Sequence, residues 1–218
     1  LKMKILYFGR HEDVYSKKLL FFLKRYSKSV DVKWSKKKFE IFKISRIKYD
    51  YIVSFRSYYI LKKNDIKLAK IASINFHPSL PKYRGAGCSN LAILNNDKYF
   101  GTTAHLINSE IDSGSIINIK KFKLNKNIKL QYIINKTKLC QYNQAVEILK
   151  TIFKNPTCIN SMINKHKNIK WSNKILKQKD LEKIYTLKIK DLNKMKKSEI
   201  TRYFRATVIG KYYPKIVI

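Results

Sequence analysis

The most chemically suggestive stretch of the sequence is SINFHPSLPKYRGAG, residues 73–87. Its apolar start leads into Asn75 and His77, and side chains two residues apart along a strand point to the same side of a sheet. Pro78 and Pro81 cannot continue a strand ladder, so the strand must end here. An amide and an imidazole presented together at a strand end indicate a site rather than a simple connection.

A second polar stretch, GTTAHLINSEIDSGSII, places His105 on a predicted strand and Asp112 in the turn that follows it. With Asn75 and His77, these residues form a candidate site for acyl transfer without a nucleophilic side chain. The amide N–H would donate to an oxygen that gains negative charge, the imidazole would handle protons, and the carboxylate would set the charge of the imidazole. For each residue taken alone, a simpler interpretation stays open, in which His77 ends a strand and Asp112 caps a turn.

The chain is strongly basic, with 48 Lys and Arg against 14 Asp and Glu and a net charge of +34. Such a surface favours nucleic acid, because cations that neutralise phosphates release counterions. Only seven of the 48 are Arg, the residue that reads phosphate and base edges bidentately. The chain is also rich in Ile, Asn, Tyr and Phe, whose codons are AT-rich, so compositional drift explains the lysines equally well. Both interpretations stay open.

Several familiar sites are missing from the sequence. It has no GxGxxG, GxxxxGK[ST], GxSxG or HExxH motif, and its four histidines share no metal-ligand spacing, so no metal is predicted. Three widely spaced cysteines without a CxxC pair favour reduced thiols. No apolar run approaches the ~20 residues of a membrane span, and the first residues indicate a strand and a helix rather than a signal peptide. We therefore expect a cytoplasmic protein with no membrane partner.

The hydrophobic pattern alternates strands with helices, which predicts an α/β sheet that is parallel in its first half. Residues 1–156 are the predicted main domain, and the polar, weakly periodic residues 157–218 are a predicted C-terminal appendage that packs on it or extends it. The predicted strands are Lys4–Phe8, VDVKW near Val30, Ile47–Phe55, ASINF, Gly101–Ile107 and Ser115–Leu124. The predicted helical segments are VYSKKLLFFLKRY, Leu61–Lys70, Cys88–Asp97 and Leu130–Phe153.

Both polar stretches resemble motifs of the formyltransferases that use 10-formyltetrahydrofolate. The family patterns N-x-H-P-S-L-L-P-x-x-[RK]-G and D-[ASTE]-G-x-I-[IL] are met by Asn75, His77, Pro78, Ser79, Leu80, Pro81, Arg84 and Gly85 and by Asp112, Gly114 and Ile116. The resemblance covers roughly residues 3–153 and implies a Rossmann-like formyltransferase fold with a mixed, largely parallel sheet flanked by helices. The chain departs from the pattern at one point: Leu80 stands alone where the family has two leucines, which shortens the loop by one residue.

The resemblance implies a role for each motif residue, with 10-formyltetrahydrofolate as the co-substrate. Asn75 would hold the formyl oxygen, His77 would stabilise the tetrahedral intermediate and assist proton transfer, and Asp112 would keep that histidine in the right charge state. For Tyr58 and Tyr59, an alternative interpretation to folate binding is the ordinary packing of an aromatic pair. The implied folate-binding residues are Tyr58, Tyr59, Ile60, Leu61, Ile107, Ile111 and Asp112. The substrate contacts predicted within the resemblance are Arg84, Gly85 and His105. Trp171, in the stretch WSNK beyond the resemblance, is a further candidate that would suit contact with a base.

The acceptor of the formyl group is open at this stage. We favour the amine of a nucleotide-linked amino sugar, because His105 resembles that branch of the family and tRNA-specific members carry a second domain. The missing glycines after the first strand disfavour a glycinamide ribonucleotide enzyme. A methionyl-tRNA formyltransferase, favoured by the charge, and a basic nucleic-acid-binding module on a degenerate fold are the alternatives. The predicted partner is a small nucleotide sugar. Nucleic acid is a disfavoured partner, and a homodimer is an open possibility for the assembly.

Overall fold

The computed structural model describes residues 3–27, 29–37 and 40–218. Within them, no helix combines the length and apolar character needed to cross a membrane. The strands are β1 Lys4–Arg10, β2 Ser29–Ser35, β3 Tyr49–Phe55, β4 Ala69–His77, β5 Arg84–Gly85, β6 Tyr99–Leu106, β7 Ile116–Lys123, β8 Ile175–Leu176, β9 Thr186–Lys188 and β10 Lys215–Val217. The helices are α1 Val14–Tyr26, α2 Lys63–Ile66, α3 Cys88–Leu94, α4 Leu130–Lys154, α5 Cys158–His166, α6 Gln178–Ile184, α7 Ile189–Leu192 and α8 Lys197–Thr207.

Six strands form the central sheet in the order β2-β1-β3-β4-β6-β7. The first four are parallel, whereas β6 is antiparallel to both β4 and β7. The prediction of a mixed, largely parallel sheet flanked by helices is confirmed. In open α/β sheets, ligands bind outside the carboxyl ends of the parallel strands. The polar residues at the end of β4 therefore lie at the edge where such a fold places a site.

Both faces of the central strands are buried, as expected for parallel strands covered on each side. Phe55 and Phe76 pack on the face covered by α1, α4 and α5. Phe8 and Ile52 point to the opposite face, where Leu61 joins them. Because side chains alternate along a strand, Asn75, next to Phe76, faces this second side. The packing thus fixes which face of the sheet carries the candidate site.

The residues after Thr157 form α5 to α8 and β8 to β10, where the hydrophobic pattern predicted no elements. Segments this short show too few turns for helical periodicity to stand out. They gain stability from packing: Ile159 of α5 joins the main core, and the Asn90 amide of α3 donates to the Ala206 carbonyl of α8 at 2.7 Å. The C-terminal segment therefore packs on the sheet domain. The division at residue 156 stays a prediction.

Candidate active site

The two polar residues of the first motif lie at the carboxyl end of β4, on one face of the sheet. Asn75 lies directly opposite His105 in the antiparallel pairing of β4 with β6. His77 and His105 are only 3% and 2% exposed, and Asn75 is partly exposed. Asp112 approaches from the loop between β6 and β7 and contacts both imidazoles. The structure thus brings together all four residues of the predicted acyl-transfer cluster.

The imidazole of His77 lies between two oxygen atoms. Its Nδ1 is 3.1 Å from Asp112 Oδ2, and its Nε2 is 2.8 Å from the backbone carbonyl oxygen of Tyr83. Both oxygens accept hydrogen bonds, and a neutral imidazole has one N–H, so it can donate to only one of them at a time. Uptake of a proton lets His77 donate to both. This arrangement suits a side chain that receives a proton during a reaction.

His105 fixes the orientation of the Asn75 amide. Its Nδ1 lies 2.7 Å from the Leu106 carbonyl oxygen, so the N–H is assigned to Nδ1 and Nε2 is left as an acceptor. Asn75 Nδ2 donates to that Nε2 at 3.1 Å and also lies 3.5 Å from Asp112 Oδ1. The amide nitrogen of Asn75 is therefore directed into the cluster, next to the carboxylate.

Asp112 is held in a strained turn by the first motif. Its backbone φ of +46° lies in the left-handed region, which residues other than Gly seldom adopt. The Gly85 N–H donates to Asp112 Oδ2 at 3.0 Å, and the Arg84 guanidinium donates to the preceding Ile111 carbonyl at 2.7 and 3.1 Å. The Arg-Gly pair of the motif therefore supports the carboxylate that faces His77.

In both His77 and Asp112, burial shifts the pKa in one direction, and the closest charged or hydrogen-bonding partners shift it in the other. Burial opposes ionisation of Asp112, but His77 and the Gly85 N–H hold the pKa of this carboxyl well below its usual range. Burial lowers the pKa of His77, while the Asp112 carboxylate and the Tyr83 carbonyl work to raise it. Asp112 is thus a carboxylate, and His77 is a base whose proton uptake two acceptors assist.

The residues predicted to bind folate have different surroundings. The Tyr59 ring stacks on Phe8 at 5.3 Å and its hydroxyl donates to Asp65 at 2.8 Å, while Leu61 is buried in the same cluster. The packing interpretation therefore describes the Tyr59 side chain. Tyr58 is partly exposed, and the Arg10 guanidinium lies 3.9 Å above its ring. Folate binding by these residues stays a prediction.

Three other predicted folate-loop residues differ in exposure. Ile60 and Ile111 are 62% and 41% exposed, as single apolar side chains on protein surfaces often are. Ile107 is tied to the sheet, since its N–H donates to the Ser73 carbonyl at 2.8 Å. Ile60 and Ile111 are thus free to contact a ligand, whereas the backbone of Ile107 holds its loop in place.

The predicted substrate contacts bind groups of the chain itself. The donors of Arg84 go to backbone carbonyls, the Gly85 N–H goes to Asp112, and His105 is enclosed in the cluster. The Trp171 indole N–H donates to the Gly114 carbonyl at 2.8 Å. Their assignment as substrate contacts stays a prediction, and the structure gives each of them a supporting contact that motif reading did not suggest.

One partner of the cluster was missed from the sequence. The Tyr83 carbonyl binds His77, and a backbone atom leaves no signature in residue type. Gly114 was recognised as a motif residue, but the structure adds its close contact: a Cβ there would lie 1.8 Å from the Leu106 carbonyl oxygen and 3.5 Å from His105 Nδ1. Only Gly allows the loop after Asp112 to approach β6 this closely. Its place in the second motif was the available signal.

The fold and the site define a class of protein that the sequence comparison identifies. The sequence model of the family described as Formyl transferase matches residues 33–149, more than half of the chain. The chain belongs to this family. The resemblance stated from the motifs is therefore confirmed, and the matched residues include Asn75, His77, His105 and Asp112.

Curated relatives align with part of the chain. The bifunctional polymyxin resistance protein ArnA of Wigglesworthia glossinidia brevipalpis is 35% identical over 106 residues, 43% of this chain and 16% of the relative. The methionyl-tRNA formyltransferase of Mycoplasmopsis pulmonis is 28% identical over 155 residues, 70% of this chain and 53% of the relative. The chain spans about half the length of these relatives or less.

Solved structures of N-formyltransferases share the fold over nearly the whole chain. An N-formyltransferase from Helicobacter canadensis, in complex with folinic acid and dTDP-3-aminofucose, superposes with a TM-score of 0.70 at 22% identity, covering 99% of this chain and 84% of that one. A 4-N formyltransferase from Francisella tularensis gives 0.69 at 20% identity, covering 100% and 93%. At these identities, the likeness shows the fold.

Proposed function

We propose that this protein transfers a formyl group from 10-formyltetrahydrofolate to the amine of a nucleotide-linked amino sugar. The observation that carries the proposal is the cluster of Asn75, His77 and Asp112, in which His77 lies 3.1 Å from the carboxylate and 2.8 Å from a backbone carbonyl. Membership of the formyl transferase family supports this chemistry. The exposed side chains of Ile60 and Ile111, in the two predicted folate loops, are available to contact folate.

Each residue of the cluster has a part that follows from its contacts. Bound folate supplies the formyl carbon that the amine attacks. The Asn75 amide is fixed by His105, and donation of one of its N–H groups would stabilise negative charge growing on the formyl oxygen. His77 would take a proton from the attacking amine, and acceptors at both of its ring nitrogens stabilise the imidazolium. Returning that proton to the folate nitrogen would let the bond from this nitrogen to the formyl carbon break as the new amide forms. Asp112 stays ionised and stabilises the imidazolium that results.

Two observations bear on the acceptor. The Helicobacter canadensis neighbour was solved with a dTDP-linked amino sugar, and the likeness to it extends through the C-terminal segment, over 99% of this chain. The methionyl-tRNA formyltransferases among the curated relatives favour a second candidate, transfer to an aminoacylated tRNA, and the net charge of +34 suits that polyanion as well. We prefer the amino sugar on the extent of the structural match.

Ligand-induced stabilisation separates the two candidates. A dTDP- or UDP-linked 4-amino sugar should raise the melting temperature, because a ligand that binds only the folded state stabilises it by about 2.7 kcal/mol at about 100 times its Kd. The measurement is a thermal-shift panel of nucleotide sugars, the matching nucleoside diphosphates and aminoacylated initiator tRNA. Stabilisation by the tRNA alone, with none from any nucleotide sugar, would transfer the proposal to the tRNA reaction.

A further inference from the structure

A short segment after α5 is joined to the loop that follows His77. The Ser172 N–H donates to the Pro81 carbonyl at 2.9 Å, and the Ala86 N–H donates to the Leu176 carbonyl at 2.8 Å. Between these two bonds, β8 pairs in parallel with β5. The segment 171–176 lies outside residues 33–149, the part of the chain that the family model matches. It is nevertheless attached to the active-site loop at both of its ends.

Trp171 begins this segment and lies against both imidazoles of the cluster. Its ring centroid is 5.0 Å from that of His105 and 5.8 Å from that of His77, with edge-to-face angles of 78° and 69°. Its N–H is bound to the Gly114 carbonyl, which fixes the rotation of the ring. Edge-to-face pairs at these distances are attractive. A single side chain therefore covers two histidines that are each at least 97% removed from solvent.

Arg84 holds Trp171 and Asp112 in one arrangement. Its Nη1 donates to the Ser172 carbonyl at 3.0 Å, next to Trp171, while its Nε and Nη2 donate to the Ile111 carbonyl, next to Asp112. The nearest carboxylate of the described residues, that of Glu110, is 3.7 Å away and largely exposed. Burying a cation against carbonyls alone is costly. In exchange for this cost, the Arg84 side chain fixes the loop that contains Ile111 and the segment that contains Ser172 on either side of the histidines.

We propose that Trp171, fixed by Arg84 and Gly114, is a positioning residue for the reaction: it keeps water from the His77–Asp112 pair and holds both imidazole rings in place. The C-terminal segment is then a part of the active site, and the catalytic constellation of residues 75–112 is incomplete without it. The kinetic consequence of this inference rests on the proposed function. The electrostatic consequence does not, because it concerns the protein without substrate.

The electrostatic consequence is a shift in the titration of His77. Burial is the main influence that lowers the pKa of His77, and Asp112 opposes it while His105 and Arg84 add to it. Replacing Trp171 by Ala admits water and leaves those three charged or titratable groups in place. The penalty for a charged imidazole then decreases, so His77 should take up its proton at higher pH. A ring that only contributes packing would change the melting temperature and leave this titration where it was.

The test compares Trp171→Ala and Trp171→Phe with the unchanged protein. Histidine ring-proton NMR follows the titration, with His77 assigned from the loss of its signal in His77→Asn. We expect a shift to higher pH in the Ala variant and a titration close to the parent in the Phe variant, which keeps a ring over both histidines. Trp34→Phe is the control: the other tryptophan packs on Tyr7, and its replacement should not move His77.

The second part of the test measures kcat and KM of the same variants. The Ala variant should lose about ten- to a hundredfold in kcat with little change in KM, because loosened catalytic groups slow the chemical step more than binding. If Trp171→Ala fails to fold, Arg84→Lys, which loses the donors that hold the Trp171 segment, carries the titration test, with the Phe variant kept as the matched control. A His77 titration unchanged in folded Trp171→Ala, or in Arg84→Lys where the Ala variant does not fold, overturns the inference. Absence of formyl transfer by the unchanged protein would instead count against the proposed function alone.

Discussion

Replacing His77 by Asn, or Asp112 by Asn, should lower kcat/KM for formyl transfer by about two orders of magnitude or more. The first change removes the group that takes the proton between Asp112 and the Tyr83 carbonyl. The second removes the charge that stabilises the imidazolium. Asn75→Ala should act in the same direction with folate binding largely kept, since the amide is needed for charge that develops during the reaction.

The control for this prediction is a histidine of the same chain that lies elsewhere. His166 is on α5, where its Nδ1 contacts the Met162 carbonyl, so His166→Asn should leave the rate near that of the parent. Initial rates with saturating folate and a melting curve for every variant separate chemistry from unfolding. A His77 or Asp112 variant that melts normally and keeps its rate would remove that residue from the mechanism.

Gly85→Ala should cost about 3 kcal/mol of folding free energy. Two effects combine at this position. Its φ is +84°, in the region that L side chains rarely adopt, and a Cβ there would lie 2.2 Å from the Leu176 carbonyl oxygen. The methyl group would have to separate β5 from β8, which holds the Trp171 segment against the active-site loop.

Gly210→Ala isolates the part of the folding free-energy loss that comes from the positive φ alone. Gly210 also has a positive φ, +55°, but nothing lies within 4 Å of its would-be Cβ. The loss there should be about 1 kcal/mol, the cost of left-handed backbone for a residue with a Cβ. Denaturant unfolding of both variants measures the difference. Equal losses in the two variants would show that β5 and β8 are not held as closely as the structure has them.

Most residues of the candidate site could be predicted from the sequence because their geometry is local. A spacing of two on a strand places Asn75 and His77 on one face by the pleat alone, and two prolines mark where that strand ends. Asp112 could be added because the second motif has a turn with Gly114 just after a predicted strand. The α/β class and the parallel first half of the sheet followed from the alternation of strands and helices, which needs no knowledge of long-range contacts, whereas the strand order came from the structure.

The parts that the sequence did not predict depend on contacts between distant segments. The Arg84 guanidinium donates to the backbone carbonyls of Ile111 and Ser172. Because every residue has a carbonyl, the residue types at these positions could not predict the contacts. The short C-terminal elements gain support from distant segments: α5 packs on the main core, α8 on α3, and β8 on β5. Trp171 was predicted as a substrate contact from the stretch WSNK, but its position over both histidines could be seen only in the fold.

The most direct measurement is kcat/KM for formyl transfer to a dTDP-linked 4-amino sugar, with folate saturating, between about 50 and 200 mM salt. We expect transfer to occur and kcat/KM to fall by less than about tenfold, because a substrate with only a diphosphate engages few of the 48 basic side chains. No transfer to any nucleotide sugar would contradict the proposed function. A fall of about three orders of magnitude would do so as well, since it would show that many phosphates are bound at once.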